Sequence, residues 1–289
     1  GHYDTVASRL AQYLGISKFD IDKRIPQKQR KSYTAITVRS NVPFETISNI
    51  ATTKKTLLDD YKLKYFIRSV FAGFFVSGAL GLNLICNNLF AKTNPPVGKM
   101  LGGIYFSLAV LLIVMVGGEL FTGNTFVMSF GSIDKKVSWI DTLKVCMASY
   151  FGNFVGAVLF AVLFYLSGAS GTEEYIRLSM PNKVYIPYMQ LFVRAILCNF
   201  LVCIAILCGI KMKDEIGKIV MIVIVISAFI ISGYEHSIAN MGYYTFSILY
   251  TPEVPIVRLF LNLLIATVGN AIGGGLMLAL PLRKMSLDK

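Results

Sequence analysis

GGELFTGN (Gly117–Asn124) and GYEHSIAN (Gly233–Asn240) decide the reading of this chain. Each sets a Glu-x4-Asn pair inside an apolar segment: Glu119 with Asn124, and Glu235 with Asn240. Each is followed by a Gly-Asn-x-x-Gly element, Gly152-Asn153-x-x-Gly156 and Gly269-Asn270-x-x-Gly273. Asn153 lies 29 residues beyond Asn124, and Asn270 lies 30 beyond Asn240. The chain therefore reads as a duplicated membrane unit. Each copy puts polar, glycine-broken backbone where a span should be unbroken helix. Such breaks are costly in lipid and survive only where they line a protein-enclosed cavity. They point to a translocation path.

Composition agrees. Of 289 residues, 55% are hydrophobic and only 15% charged, more apolar than a soluble domain of this length. Six stretches reach the roughly 18–20 apolar residues that cross a bilayer: 66–90, 100–130, 142–167, 186–210, 217–250 and 255–281. The second and fifth carry the breaks. The chain opens on a polar stretch, so no cleavable leader is expected. Cys86, Cys146, Cys198, Cys203 and Cys208 have no metal or disulfide spacing and read as small hydrophobes. No metal-ligand cluster, nucleophile triad or phosphate loop is seen, which argues against an enzyme and against a cofactor.

The net charge of +12 does not point to nucleic acid, because its placement follows the spans. Of the 28 Lys and Arg, 22 precede or flank span 1, lie in or beside the loops after spans 2 and 4, or end the chain. The positive-inside bias then puts both termini in the cytoplasm. Residues 1–60 read as a basic cytoplasmic extension with a helix near Thr46–Tyr61, and 61–289 as the pore domain. Its halves, 66–167 and 186–281, each hold three spans. Three is odd, so the second half starts from the opposite face, giving an inverted 3+3 repeat.

A helix broken mid-bilayer leaves the next half-helix with its N-terminus near the midplane, expected here just after Thr122 and just after His236. Two such termini would turn unpaired N–H groups and positive dipole ends toward one region, attracting an anion without a buried fixed cation. His236 is the histidine nearest this break, and an ionisable residue inside a span is a functional candidate. Thr122 offers a hydroxyl for the path. Asn124, Asn240, Asn153 and Asn270 are expected to brace the breaks. Glu119 and Glu235 are expected to accept from loop amides.

GGELFTGN, YFGNFVGA, AILCNFLVC and GYEHSIANM together resemble the signature segments of the formate/nitrite transporter family, over roughly residues 42–285. The resemblance implies an all-α membrane protein with six spans and an aquaporin-like shape. It implies an Ω-shaped loop in span 2 and an S-shaped loop in span 5. It also implies a homopentamer in the cell membrane, each protomer with its own pore. Thr122 takes the place of the Ω-loop threonine, His236 of the central histidine and Asn199 of the pore asparagine on span 4. Phe106, Val110, Phe121, Val202 and Phe229 match the apolar constrictions, and Lys183 resembles a lysine that gathers anions at the mouth. The implied substrates are small monovalent anions: formate, nitrite, hydrosulfide or lactate.

An anion of that size is costly to bury, and desolvation raises an acid's pKa. The expected route is protonation from water or through His236, hydrogen bonding to Thr122 and Asn199, and release beyond. A neutral-solute channel of the aquaporin type is the alternative, although its paired Asn-Pro-Ala boxes are absent.

Overall fold

The computed structural model describes residues 2–14, 17–25, 42–168, 171–251 and 253–286. They divide into two compact units, 1–46 and 47–289. The stretch 26–41 of the expected extension lies outside the described residues. In the first unit, α1 (His2–Leu14) and α2 (Lys18–Arg24) bury Ala7, Ala11 and Ile21 between them. Ser17 begins α2 with a reciprocal cap, accepting from Asp20 N–H while the Asp20 carboxylate accepts from Ser17 N–H. α3 (Val42–Asp60) follows, close to the helix expected near Thr46–Tyr61.

Among its described residues the regular elements of the second unit are all helices. Among the described residues, five helical stretches are long and apolar enough to cross a membrane: Lys62–Phe90, Pro95–Val116, Trp139–Ser167, Tyr188–Lys211 and Ile256–Ser286. The first is α4 (Lys62–Phe90). The second joins α5 (Pro95–Phe106) to α6 (Leu108–Val116) and is followed by the separate α7 (Phe121–Ile133). The third is α8 (Trp139–Ser167), opened by Ser138, whose Oγ accepts from Asp141 N–H at 3.0 Å. A short α9 (Glu173–Val184) leads to α10 (Tyr188–Lys211). The stretch 217–250, expected as one interrupted span, is α11 (Glu215–Ile231) and α12 (Ser237–Tyr250), of 17 and 14 residues. The last is α13 (Ile256–Ile272), a π-helical segment Gly273–Ala279 and α14 (Leu280–Ser286).

Two helix pairs make the frame. α4 packs along α8, and α10 along α13. Both contacts use glycine in the same way. A Cβ at Gly156 would overlap the Val70 carbonyl oxygen of α4, and one at Gly273 would overlap the Ile196 carbonyl oxygen of α10. Lipid tails are as apolar as the helices, so close backbone approach and its dispersion gain hold such pairs together. Gly156→Ala or Gly273→Ala is therefore expected to force the helices apart and lower stability by about 1–3 kcal/mol, as overpacking does. Thermal unfolding of the detergent-solubilised variants checks this; an unchanged midpoint for both would refute the close contact.

Candidate translocation site

The two breaks have the same local cause. α6 ends at Gly117 in the left-handed region (φ +86°), and the chain after α11 passes through Gly233 in the same region (φ +71°). Only glycine adopts that conformation without strain. Extended backbone follows, at Leu120 (φ −95°, ψ 126°) and at His236 (φ −103°, ψ 116°), and then a new helix begins. His236 stands directly before α12, as the sequence predicts. α7 starts at Phe121, two residues before the expected start at Gly123, so Thr122 lies inside its first turn instead of ahead of the helix. The reason is that a side chain from another helix caps α7 at Phe121.

That side chain is Asn153 of α8. Its Oδ1 accepts from Phe121 N–H (2.9 Å), and its Nδ2 donates to the carbonyls of Ser69 (2.7 Å) and Glu119 (2.9 Å). Asn270 of α13 repeats the pattern. Its Oδ1 accepts from Ser237 N–H (2.7 Å), and its Nδ2 donates to the carbonyls of Ala195 (2.7 Å) and Glu235 (2.9 Å). The N–H groups of Glu119 and Glu235 donate to the Arg68 and Arg194 carbonyls (3.1 and 3.3 Å). Backbone freed by each break is thus satisfied from two neighbouring helices, as burial demands.

The two buried carboxylates are partnered differently from the expectation of loop amides. Glu119 Oε2 takes Lys54 Nζ at 2.6 Å and Asn124 Nδ2 at 3.2 Å. Glu235 Oε2 takes Lys183 Nζ at 2.7 Å and Asn240 Nδ2 at 3.0 Å. Glu119 and Glu235 are only 5% and 3% exposed, so each needs a full countercharge. Lys54 comes from α3, the helix before α4, and Lys183 from α9, the helix before α10. Lys54 was not legible as a site residue, because it sits among other lysines in a polar stretch. Lys183 was expected to gather anions at the mouth; its ammonium pairs with Glu235 and lies 5.5 Å from the Tyr243 ring centre.

Thr122 and His236 meet between the two half-helices, Oγ1 to Nε2 at 3.0 Å, both buried. His236 Nδ1 accepts from Ala239 N–H at 3.1 Å, capping α12. An accepting Nδ1 leaves Nε2 to carry the proton of the neutral ring. Nε2–H then donates to Thr122 Oγ1, and the threonine hydroxyl hydrogen stays free for a further acceptor. A second proton on Nδ1 would set N–H against N–H and break the cap.

Asn199 stands behind this contact. Its Nδ2 faces the Thr122 carbonyl (3.2 Å), Thr125 Oγ1 (2.9 Å) and the Asn270 carbonyl (2.6 Å). Its Oδ1 accepts from Cys203 Sγ at 3.5 Å. Thr125 Oγ1 also donates to the Thr122 carbonyl at 2.7 Å. Thr125 and Cys203 were not singled out from the sequence; a hydroxyl one turn from Thr122 and a thiol one turn from Asn199 were the available signals.

A cavity of about 360 Å³ reaches His236 from one side, lined by Lys99, Phe106, Lys183, Arg194, Phe229 and Glu235 among others. Phe106 and Phe229 meet edge to face, 5.7 Å between centres, and Phe229 stacks toward His236 at 6.1 Å. Val110 and Val202 are buried in the same core. Phe121 belongs to that core too, packs against Tyr150 (5.0 Å) and lines a second groove with Thr125 and Ser129. No cluster of three or more His, Cys, Asp or Glu suited to a metal occurs among the described residues.

A family model described as formate/nitrite transporter matches residues 42–283. The chain is 33% identical to an uncharacterised transporter, YwcJ of Bacillus subtilis, covering 80% of this chain and 93% of that one. It is 30% identical to the formate channel FocA of Escherichia coli, covering 76% and 85%. Among solved structures, the fold is similar to that of an FNT family ion channel, with a TM-score of 0.77 at 28% identity over 84% of this chain and 98% of that one. It is also similar to that of a pentameric formate channel with formate bound, with a TM-score of 0.67 at 23% identity over 78% and 98%.

Proposed function

The chain belongs to the formate/nitrite transporter family, and on that premise we propose that it passes small monovalent anions of weak acids through a pore centred on Thr122 and His236. In this reading the chain is an integral membrane protein with six spans, the fifth being α11 with α12. Its halves are inverted, its termini lie in the cytoplasm, residues 1–60 are an extension of the pore domain, and five copies assemble. Formate, nitrite, hydrosulfide and lactate are the candidate substrates. Support for the duplication comes from two Asn-centred braces and two Lys–Glu pairs occupying matching places. Membership of the family, and a fold shared with a pentameric formate channel, support the assembly.

The observation that carries the reading is the 3.0 Å Thr122–His236 contact between two helix starts. Both starts present positive dipole ends to one point. The donors run in one direction: Ala239 N–H to Nδ1, Nε2–H to Thr122 Oγ1, and the threonine hydroxyl onward to the substrate. An anion is held there by oriented N–H and O–H groups, with no fixed cation at the centre to trap it. Phe106 and Phe229, with Val110 and Val202, form apolar rings that a bare anion crosses only at several kcal/mol. Desolvation on approach favours the neutral acid, and the proton comes from water in the cavity. His236 acts as a fixed donor in this scheme, because a relay through both ring nitrogens would break the α12 cap. Asn199 holds the Thr122 carbonyl in place.

Uptake into proteoliposomes checks this. Above the acid's own pKa, each unit fall in external pH multiplies the neutral fraction about tenfold, so influx is expected to rise as pH falls. Thr122→Val removes the substrate-facing hydroxyl and is expected to slow uptake about tenfold or more, the worth of one hydrogen bond to a charged partner. His236→Asn is expected to slow uptake while keeping the pH dependence. A flat pH profile in the His236→Asn protein would show instead that the ring relays the proton. Wild-type vesicles taking up glycerol but none of the four anions would end the proposal.

A further inference from the structure

We propose that Arg194, assisted by Lys99, is the cation that draws the anion into the cavity in front of His236, and that it favours planar oxyanions over single-atom anions. This inference rests on the transport reading above. Four formally charged side chains line that cavity: Lys99, Lys183, Arg194 and Glu235. Lys183 and Glu235 neutralise each other across 2.7 Å. Two positive charges are left. Among the described residues neither Arg194 nor Lys99 lies within ion-pair distance of a carboxylate.

Arg194 is the better placed of the two. It is half-buried in the apolar helix α10, whereas Lys99 is exposed. Its carbonyl accepts from Glu235 N–H at 3.3 Å, which anchors its backbone to the residue next to His236. The first half of the chain uses an arginine in the same position. The Arg68 carbonyl accepts from Glu119 N–H at 3.1 Å, its guanidinium lies against Gly117, and no carboxylate within ion-pair distance is described for it. An ionisable side chain inside an apolar helix is expensive unless it serves a partner or a path. Here each break has one arginine beside it whose backbone is engaged and whose charge is not.

The chemistry of the head group supplies the selectivity. A guanidinium offers two parallel N–H donors that match the two oxygens of a carboxylate or of nitrite. A hydrosulfide or halide accepts only as a point charge and gains less from the fork. Lysine at the same place would keep the attraction and lose this preference. Attraction from the cavity wall speeds encounter and weakens with added salt, because exposed charges are screened.

The test is initial uptake by the full chain in proteoliposomes at low and high ionic strength, with formate and hydrosulfide as probes. Arg194→Gln is expected to raise the half-saturation concentration for formate about tenfold and to flatten its salt dependence. Maximal uptake is expected to change little, since the centre at Thr122 is untouched. Arg194→Lys is expected to restore the salt dependence but not the preference for formate over hydrosulfide. Lys99→Gln should move half-saturation the same way by less, and it carries the test if Arg194→Gln does not give a monodisperse protein. Wild-type half-saturation and salt response in both Arg194→Gln and Lys99→Gln would overturn the inference. Absence of uptake of either probe by the wild type would instead overturn the transport reading on which it rests.

Discussion

Lys183→Met is expected to cost the protein about 3–5 kcal/mol, because it strands a buried carboxylate. Glu235 is 3% exposed and has no cation but Lys183 within 4 Å among the described residues. Its other bond, from Asn240 Nδ2, carries no net charge. Left alone, the carboxylate must take a proton or pull water into the span, and either disturbs the loop that holds His236. The double variant Lys183→Met/Glu235→Gln removes both charges and is expected to recover much of the loss, since neutral groups avoid the desolvation penalty. Lys54→Met should behave the same way through Glu119, the matching pair of the first half. Thermal unfolding and uptake, measured together, decide it. A Lys183→Met protein that melts with the wild type would show that the pair contributes nothing, and a double variant no better than the single would assign the damage to lost packing.

Asn270→Ala is expected to abolish transport. One side chain there satisfies Ser237 N–H, the Ala195 carbonyl and the Glu235 carbonyl, all in buried surroundings. Each buried group left without a partner costs about 1–3 kcal/mol, so the sum rivals the stability of a typical domain. The first turn of α12 would loosen, and with it the Nδ1 cap that sets the tautomer of His236. Asn153→Ala is expected to do the same to α7 and Thr122. A shortened Asn270→Ser variant that fails alongside Asn270→Ala, while Thr122→Val still folds and assembles, would separate collapse of the brace from loss of the hydroxyl. Wild-type uptake in Asn270→Ala would show that α12 is held without it.

Much of the architecture was legible because its signals are local. The long apolar runs and the glycines near each break come from composition and spacing, and the helices form where those runs lie. His236 could be read as the start of α12, because the break immediately precedes it and its own ring caps the helix. Thr122 could not be placed as finely, because the cap of α7 arrives from Asn153, 32 residues later. The matching roles of Asn153 and Asn270 were visible from the repeated Gly-Asn-x-x-Gly spacing. Their acceptors, the carbonyls of Ser69 and Ala195, were not, since a backbone carbonyl carries no sequence signal.

By itself, then, the amino-acid order determined that this is a helical membrane protein with two interrupted segments and a histidine at one of them. It did so because span length, apolarity and left-handed glycine are properties of a residue and its near neighbours. Only the tertiary structure decided which charges are free. Lys54, Lys183, Arg68 and Arg194 are alike as symbols in a sequence, but among the described residues two are spent on buried carboxylates and two are not. That distinction depends on distances of a few ångströms between helices far apart in the chain, and Coulomb energies in a low-dielectric interior follow those distances alone.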